Sequence, residues 1–463
     1  MTRRNRRLLL TVAPLAFAPL VLGLGVPALG ADMAVKAPLL KAPAVAPYWW
    51  TGWYIGANAG FGVGQGLGTF ASSRGVEAFN AMPAGGFGGG QLGFNYQINS
   101  FVLGAETDIQ GAGISDTRTC LLHCIAGFSA SIDQKLNWFG TTRARVGLAN
   151  GPVLSYVTAG AAYGETETGV TTTLGGVASS AITTKTKTGF AWGTGVEAAL
   201  GGNWTAKAEY LSLNLGTSVA ASAAAGTLAV KNHEQIFRGG INYRFGPDQS
   251  AAIGPIYNWA GLFVGGTFGY GVGRNDSTLI IPATNAEAFF LSPRGFDGGG
   301  IVGYNWQFGS WVLGVDADFQ GSSGSGYLTC VNLCGADATT IDQKLSWFST
   351  VRGRLGYAVG PALFYATGGG AFGKVKESIT QAGAGSASFS HSQSGFAVGG
   401  GIENKLDFFG LLGPNWTTRT EYLYIDLGSV NDVFAGRRAA ETLTSNLHEH
   451  VWRTVVSYKF GAP

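Results

Sequence analysis

The chain has 463 residues, of which only 12% are charged, about half the share usual for a soluble domain. Glycine contributes 75 residues, more than twice its usual share of about 7%, and aromatics reach 12%. After residue 30 no apolar run approaches the about 20 residues that a membrane helix requires. A helical membrane protein is therefore excluded, which leaves a transmembrane β-barrel, whose signal per segment is weak.

In chain order, "MTRRNRR" is a basic start and "LLLTVAPLAFAPLVLGLGVP" an apolar stretch, followed by small residues before Ala31. Residues 1–30 read as a secretory signal peptide cleaved after Gly30. Without Arg3, Arg4, Arg6 and Arg7 the 30 basic residues fall to 26, against 27 acidic ones, so the formal +3 belongs to the signal. A near-neutral mature chain gives no footing for a nucleic-acid partner. Residues 31–50, rich in Ala and Pro, read as an extended, mobile arm.

Eight strands follow, near residues 51–64, 85–98, 100–111, 131–148, 152–164, 187–200, 203–214 and 233–246. Short joins ("INS", "ANGP", "LGG") alternate with connections of about 20 residues, as expected of periplasmic turns and outer loops. A linker at 247–258 then leads into a second unit at 259–463, which repeats the first unit at 51–246. "TGWYIGANAGFGVG" at Thr51 answers "AGLFVGGTFGYGVG" at Ala260. "IDQKLNWFGTTRARVG" at Ile132 answers "IDQKLSWFSTVRGRLG" at Ile341, and "WTAKAEYLSLNLG" at Trp204 answers "WTTRTEYLYIDLG" at Trp416. The unit is duplicated, not a short-period solenoid.

Successive strand side chains point to opposite faces. Read with that period, one face of each strand is apolar or small and the other carries the charges. The charged face is expected to line the lumen. It collects Glu106, Asp108, Asp133, Lys135, Arg143, Arg145, Glu197, Lys207, Glu209, Arg238 and Arg244 in the first unit. In the second it collects Asp316, Asp318, Asp342, Lys344, Arg352, Arg354, Glu403, Arg419, Glu421, Arg453 and Lys459. Aromatics at the strand ends near the short turns are expected to form the interfacial girdle: Trp53, Phe101, Trp204, Tyr243, Phe245, Trp311, Trp416, Tyr458 and Phe460.

"WTGWYIGANAGFGVG", "WFGTTRARVG" and "AEYLSLNLG…FRGGINYRFG" resemble the small outer-membrane β-barrel proteins of alpha-proteobacteria, the immunogenic outer-membrane-protein family. "ADMAVKAP" resembles that family's mature N-terminus. The resemblance spans nearly the whole mature chain, once per unit. It implies an all-β, antiparallel, up-and-down eight-stranded barrel of the OmpA/OmpX type in the bacterial outer membrane, with no catalytic residues. The duplication departs from the usual single barrel.

Two tandem eight-stranded barrels, each filled by side chains, or one sixteen-stranded barrel with an aqueous channel would both accommodate the repeat. The aromatic strand end at Phe245, the length of "GPDQSAAIGPIYN" and the near-balanced inward charge of each unit favour two barrels. The sixteen-stranded pore, a passive porin for small hydrophilic solutes, stays open as the alternative. The first reading is a structural, surface-exposed membrane protein whose partners are outer-membrane lipid and an unidentified extracellular molecule bound through long loops.

Other candidate chemistry is thin. Cys120 with Cys124, and Cys330 with Cys334, fall in outer loops of an exported chain and read as one disulfide per loop. A metal reading fails because His123 has no counterpart in the second unit. "HEH" at residues 448–450 reads as surface. Glycine runs such as "GGFGGG" lack the Lys and helix of a phosphate loop. No nucleophile or paired catalytic constellation occurs in both units, so no enzyme, cofactor or metal is expected.

Overall fold

A computed structural model of the protein describes residues 47–73, 75–119, 128–281, 285–331, 339–406, 412–436 and 440–461. The expected signal peptide lies outside the described residues, as do Cys120, Cys124 and Cys334 of the expected disulfides.

In the first repeat the strands are β1 (Gly52–Gly64), β2 (Gly66–Ser72), β3 (Gly75–Ala81), β4 (Ala84–Ile98), β5 (Phe101–Thr119), β6 (Phe128–Asn150), β7 (Val153–Leu174), β8 (Val177–Gly201), β9 (Trp204–Ser222) and β10 (Gly226–Arg244). The second repeat contains β11 (Gly261–Ile281), β12 (Asn285–Leu291), β13 (Arg294–Phe308), β14 (Trp311–Ser322) and β15 (Ser325–Val331). It continues through β16 (Thr339–Val359), β17 (Ala362–Gln381), β18 (Gly385–Lys405), β19 (Trp416–Ala435) and β20 (Ala440–Lys459).

Eight strands of the first repeat (β1, β4–β10) form an antiparallel ring that closes on itself, β1 pairing with β10 from Tyr54↔Arg244 to Gly64↔Glu234. In the second repeat β11, β13, β14 and β16–β20 form another ring, closed by β11 and β20 from Phe263↔Lys459 onward. A single sixteen-stranded ring would require β10 to pair with β11. Each instead satisfies its edge within its own repeat, so the chain forms two barrels and the single wide pore is not built. Two-residue turns join the strands at one end, as at Ile98↔Phe101, Asn150↔Val153, Gly201↔Trp204, Phe308↔Trp311 and Val359↔Ala362. Such short turns are the periplasmic ones.

The opposite ends differ from expectation. The long loops are largely strand. "TTTLGGVASSAITT" is the tip of the β7–β8 hairpin, paired without interruption to Leu174↔Val177. Its Thr, Val and Ile suit a pleated surface. Gly175 and Gly176, at φ +57° and +84°, supply the two left-handed residues of a tight hairpin turn. The β2–β3 hairpin, read as loop from sequence, pairs with the outer part of β10.

The outward apolar belt on β6 runs over residues 138–148, of the length, about 9–11 residues, needed to cross hydrocarbon in a tilted strand. Exposed Val146 and Leu148 lie within it, and Trp138, 6.4 Å from Tyr163, marks its outer rim. The expected girdle occupies the other rim. Trp53, Phe101, Trp204, Tyr243, Phe245, Trp311 and Phe460 are exposed, and half-buried Trp416 and Tyr458 meet edge to face at 5.4 Å.

Beyond the outer rim the polarity of the wall reverses. The β6–β7 register shifts between Leu136 and Trp138, and the β16–β17 register shifts between Leu345 and Trp347. A bulge adds one unpaired residue and inverts the alternation that follows it. Below the bulge Arg143 and Arg145 face inward. Above it Ile132, Gln134 and Leu136 face inward, while Asp133 and Lys135 are on the outer surface. Asp342 and Lys344 are likewise exposed on β16. The expectation that these four line the lumen is therefore corrected, because simple period-two counting runs straight through a bulge. Lys135 pairs instead with Glu167 at 2.9 Å on the outside. The interior of the outer half is built mainly on apolar side chains, Phe70, Phe79, Ile132 and Leu228 in one barrel and Leu279, Phe289, Ile341 and Leu443 in the other, with buried polar groups such as Gln134, Gln343 and Glu377 set among them. It is packed as a water-soluble β-protein would be.

This reversal predicts an accessibility pattern. A membrane-impermeant amine reagent applied to the folded protein in vesicles should modify Lys135 and Lys344 and spare Lys207, read by peptide mapping. Protection of Lys135 together with modification of Lys207 would contradict the placement.

Candidate functional site

Eight of the remaining expected inward charges in each repeat converge in one network within its lumen. In the first barrel, adjacent inward positions on β5 supply Glu106 and Asp108, and β6 supplies Arg143 and Arg145. Across the lumen, β8 supplies Glu197, β9 Lys207 and Glu209, and β10 Arg238. Arg143 bridges three carboxylates: Glu106 at 2.8 Å, Asp108 at 3.0 Å and Glu209 at 3.1 Å. Lys207 lies 2.8 Å from Glu106, and Arg238 lies 2.9 Å from Asp108 and 2.5 Å from Glu209. Arg145 pairs with Glu197 at 3.0 Å and is held between the rings of Tyr54 and Tyr156, 5.1 and 4.8 Å away. Hydroxyls complete the set: Thr141 donates to Asp108 (2.7 Å), Tyr54 to Glu106 (2.8 Å) and Tyr156 to Glu209 (3.0 Å).

The second barrel repeats the charges of this arrangement position for position. Arg352 meets Asp316 at 2.8 Å, Asp318 at 3.2 Å and Glu421 at 2.9 Å. Arg453 meets Asp318 at 2.8 Å and Glu421 at 2.7 Å. Arg354 pairs with Glu403 at 2.7 Å, and Arg419 takes the place of Lys207, 3.3 Å from Asp316. Four acids thus face four bases in each network, and all of these side chains are buried. Such ions must pair, since an unpaired charge away from water costs several kcal/mol.

Arg244 and Lys459 also face inward but do a different job at the periplasmic mouth. Arg244 donates to the hydroxyl of Tyr48 (2.9 Å) and the carbonyl of Trp49 (2.6 Å), and its guanidinium lies 5.0 Å from the Trp50 ring. Lys459 donates to the carbonyl of Asn258 (2.7 Å) and sits 5.2 Å from the Tyr257 ring, which packs on Trp259. Tyr48 and Trp50, placed by the sequence reading in a mobile arm, are buried plugs, as are Tyr257 and Trp259. The sequence did hold a signal for them: Tyr-x-Trp precedes the first strand of each repeat.

Above the ions lies an apolar layer, with Phe87, Phe139, Leu211 and Ile236 in one lumen and Leu345, Phe348, Leu423 and Val451 in the other. From periplasm outward, then, each lumen contains an aromatic plug, an ion network and apolar packing.

The barrels also touch each other through outward side chains. Phe237 packs 4.9 Å from Tyr422, and Tyr210 packs 6.3 Å from Trp452. Tyr210 corresponds to Tyr422 and Phe237 to Trp452 in the repeat, so equivalent surfaces meet. His450 stacks on Phe61 at 5.6 Å and is buried in this seam, not on the surface, while its neighbour Glu449 points into the lumen. The surface expectation for that histidine is corrected: sequence alone does not distinguish an outward residue that meets solvent or lipid from one that meets the second barrel.

The family model described as outer membrane protein beta-barrel domain matches residues 34–245 and again 249–460. The chain belongs to this family, twice over. It is 38% identical over 231 residues to the 31 kDa outer-membrane immunogenic protein of Brucella melitensis, covering 47% of this chain and 93% of that protein. It is 33% identical over 186 residues to the 22 kDa outer membrane protein of Rhizobium leguminosarum bv. viciae, covering 39% of this chain and 70% of the relative. A 25 kDa outer-membrane immunogenic protein of B. melitensis is 29% identical over 208 residues, covering 45% of this chain and 82% of its own. Each relative thus matches about one repeat's length. The protein is an outer-membrane β-barrel protein with its barrel domain in tandem.

In this outer-membrane protein the ion network is a cohesive element, and its removal should cost accordingly. Glu209→Leu takes one carboxylate from both Arg143 and Arg238, leaves the buried network with one excess positive charge, and should lower folding stability by about 3–5 kcal/mol. Lys135→Ala, which breaks an exposed pair, should change it little. Urea titration of the protein in vesicles, followed by tryptophan fluorescence and heat-modifiable gel mobility, measures both.

Proposed function

We propose that the protein acts as a non-enzymatic, non-conducting structural element of the outer membrane that presents rigid β-structure to the exterior. The observation that carries this reading is that the paired charges of both lumens are buried from water. A solute pathway would need wall charges left in water, whereas each of these is spent on a neighbour across the lumen.

The outer half supports the surface role. Its strands continue well past the lipid belt, its interior is largely apolar, and its outer face carries Lys135, Glu165 and Glu167. Such a body can present a defined polar surface to an extracellular partner. Outer-membrane lipid is the partner of the belt, and no nucleic acid is involved.

Planar-bilayer recording of the refolded full chain tests this. The expected result is a membrane without stable channels. Large, steady conductance steps from the pure protein would contradict the closed-lumen reading.

A further inference from the structure

Beside the aromatic seam, the outer walls of the two barrels leave a groove of about 430 Å³. Phe61 and Phe237 border it on the first barrel, and Phe364, Ile402, Tyr422 and Trp452 on the second. Its depth is set by chain neighbours. Phe237 adjoins Arg238 and Trp452 adjoins Arg453, so the groove lies behind the ion networks, within the lipid belt. Lys207 and Arg238 contribute wall, but their charged ends point into the lumen and are engaged there by Glu106, Asp108 and Glu209. The groove exists because the repeats differ. Ala206, Ala208 and Gly239 of the first barrel stand where the second has Thr418, Thr420 and Thr454.

We propose that this groove is a binding site for an acyl chain of a phospholipid from the periplasmic leaflet, which completes the packing between the barrels. Three arguments converge on that occupant. Water needs two or more polar partners to remain in a buried site, and the strand backbones here are already paired. An empty groove would leave the six large side chains without dispersion partners on one side. The volume is about three times the ~150 Å³ of an apolar cavity known to take a benzene-sized guest, so a long flexible chain fits where a compact one would not. The leaflet follows from position. Ala206 lies two residues from Trp204 of the girdle, Phe364 sits two residues past the short turn that opens β17, and Ile402 lies directly across the ladder from Phe364. No cationic side chain lies free in the groove, so the site recognises the chain and not the headgroup.

The test uses the full chain refolded in phosphatidylcholine vesicles doped with phosphatidylcholine carrying a diazirine midway along one acyl chain. After irradiation, adducts are mapped by mass spectrometry. Trp452 is 7% exposed, whereas Phe319 on a free lipid-facing wall is 55% exposed. Both residues should be labelled, Trp452 by way of the groove. Gly239→Leu fills the groove without strain, since an added Cβ meets only the Lys207 carbonyl at 3.8 Å. It should reduce labelling of Trp452 severalfold and leave Phe319 unchanged. Ala208→Leu is the second filling variant should the first fail to fold. Background labelling of Trp452 in the unmodified protein, or undiminished labelling in a folded filling variant, overturns the proposal.

Discussion

Hydrocarbon offers no hydrogen-bond partner to a peptide group, and the rest of this structure follows from that constraint. A strand can cross such a medium only if both of its edges are paired, so eight strands must close into a ring. Closure within each repeat, through β1–β10 and β11–β20, leaves no edge to share, and this makes the duplicated chain two barrels. An eight-stranded ring is just wide enough for side chains to fill. Once the apolar residues face lipid, the polar residues of the same strands have nowhere to go but that narrow interior. Their charges then have to neutralise one another, which the four-acid, four-base networks do in both repeats.

The same strands obey a second rule outside the bilayer. Past Trp138 and Trp347 water replaces lipid, and the favourable arrangement becomes apolar inside and polar outside. A one-residue bulge in β6 near Asn137, and another in β16 near Ser346, converts one pattern to the other on those strands without breaking them. The protein is thus a membrane barrel and a soluble β-body built on continuous strands. The aromatic plugs of Tyr48, Trp50, Tyr257 and Trp259 finish the periplasmic end, where the lumen would otherwise open to water.

Much of this was legible in the sequence. The eight ring strands, the inward placement of Arg143, Arg145, Glu209 and their partners, and the girdle positions of Trp53 and Trp204 all come from a strict period of two. Asp133, Lys135, Asp342 and Lys344 were assigned to the wrong face because a one-residue bulge leaves no compositional mark. The outer strand extensions were hidden by Thr-, Ser- and Gly-rich composition, which suits loops and solvent-exposed strands alike. Phe237 and Trp452 alternate with the inward Arg238 and Arg453, but an apolar residue facing lipid and one facing another barrel look the same in a sequence. The plugs were missed because two aromatics beside a Pro-rich arm carry no periodicity.

The central claim is that the inward charges are held dry, and salt dependence of a coupling energy tests it most directly. A double-mutant cycle on Arg143 and Glu209, compared with one on Lys135 and Glu167, would be measured in vesicles at low and high ionic strength. The account predicts a large Arg143–Glu209 coupling that salt leaves nearly unchanged, and a small Lys135–Glu167 coupling that salt abolishes. An Arg143–Glu209 coupling as small and as salt-sensitive as the surface pair would mean that water fills the lumen, and would contradict it.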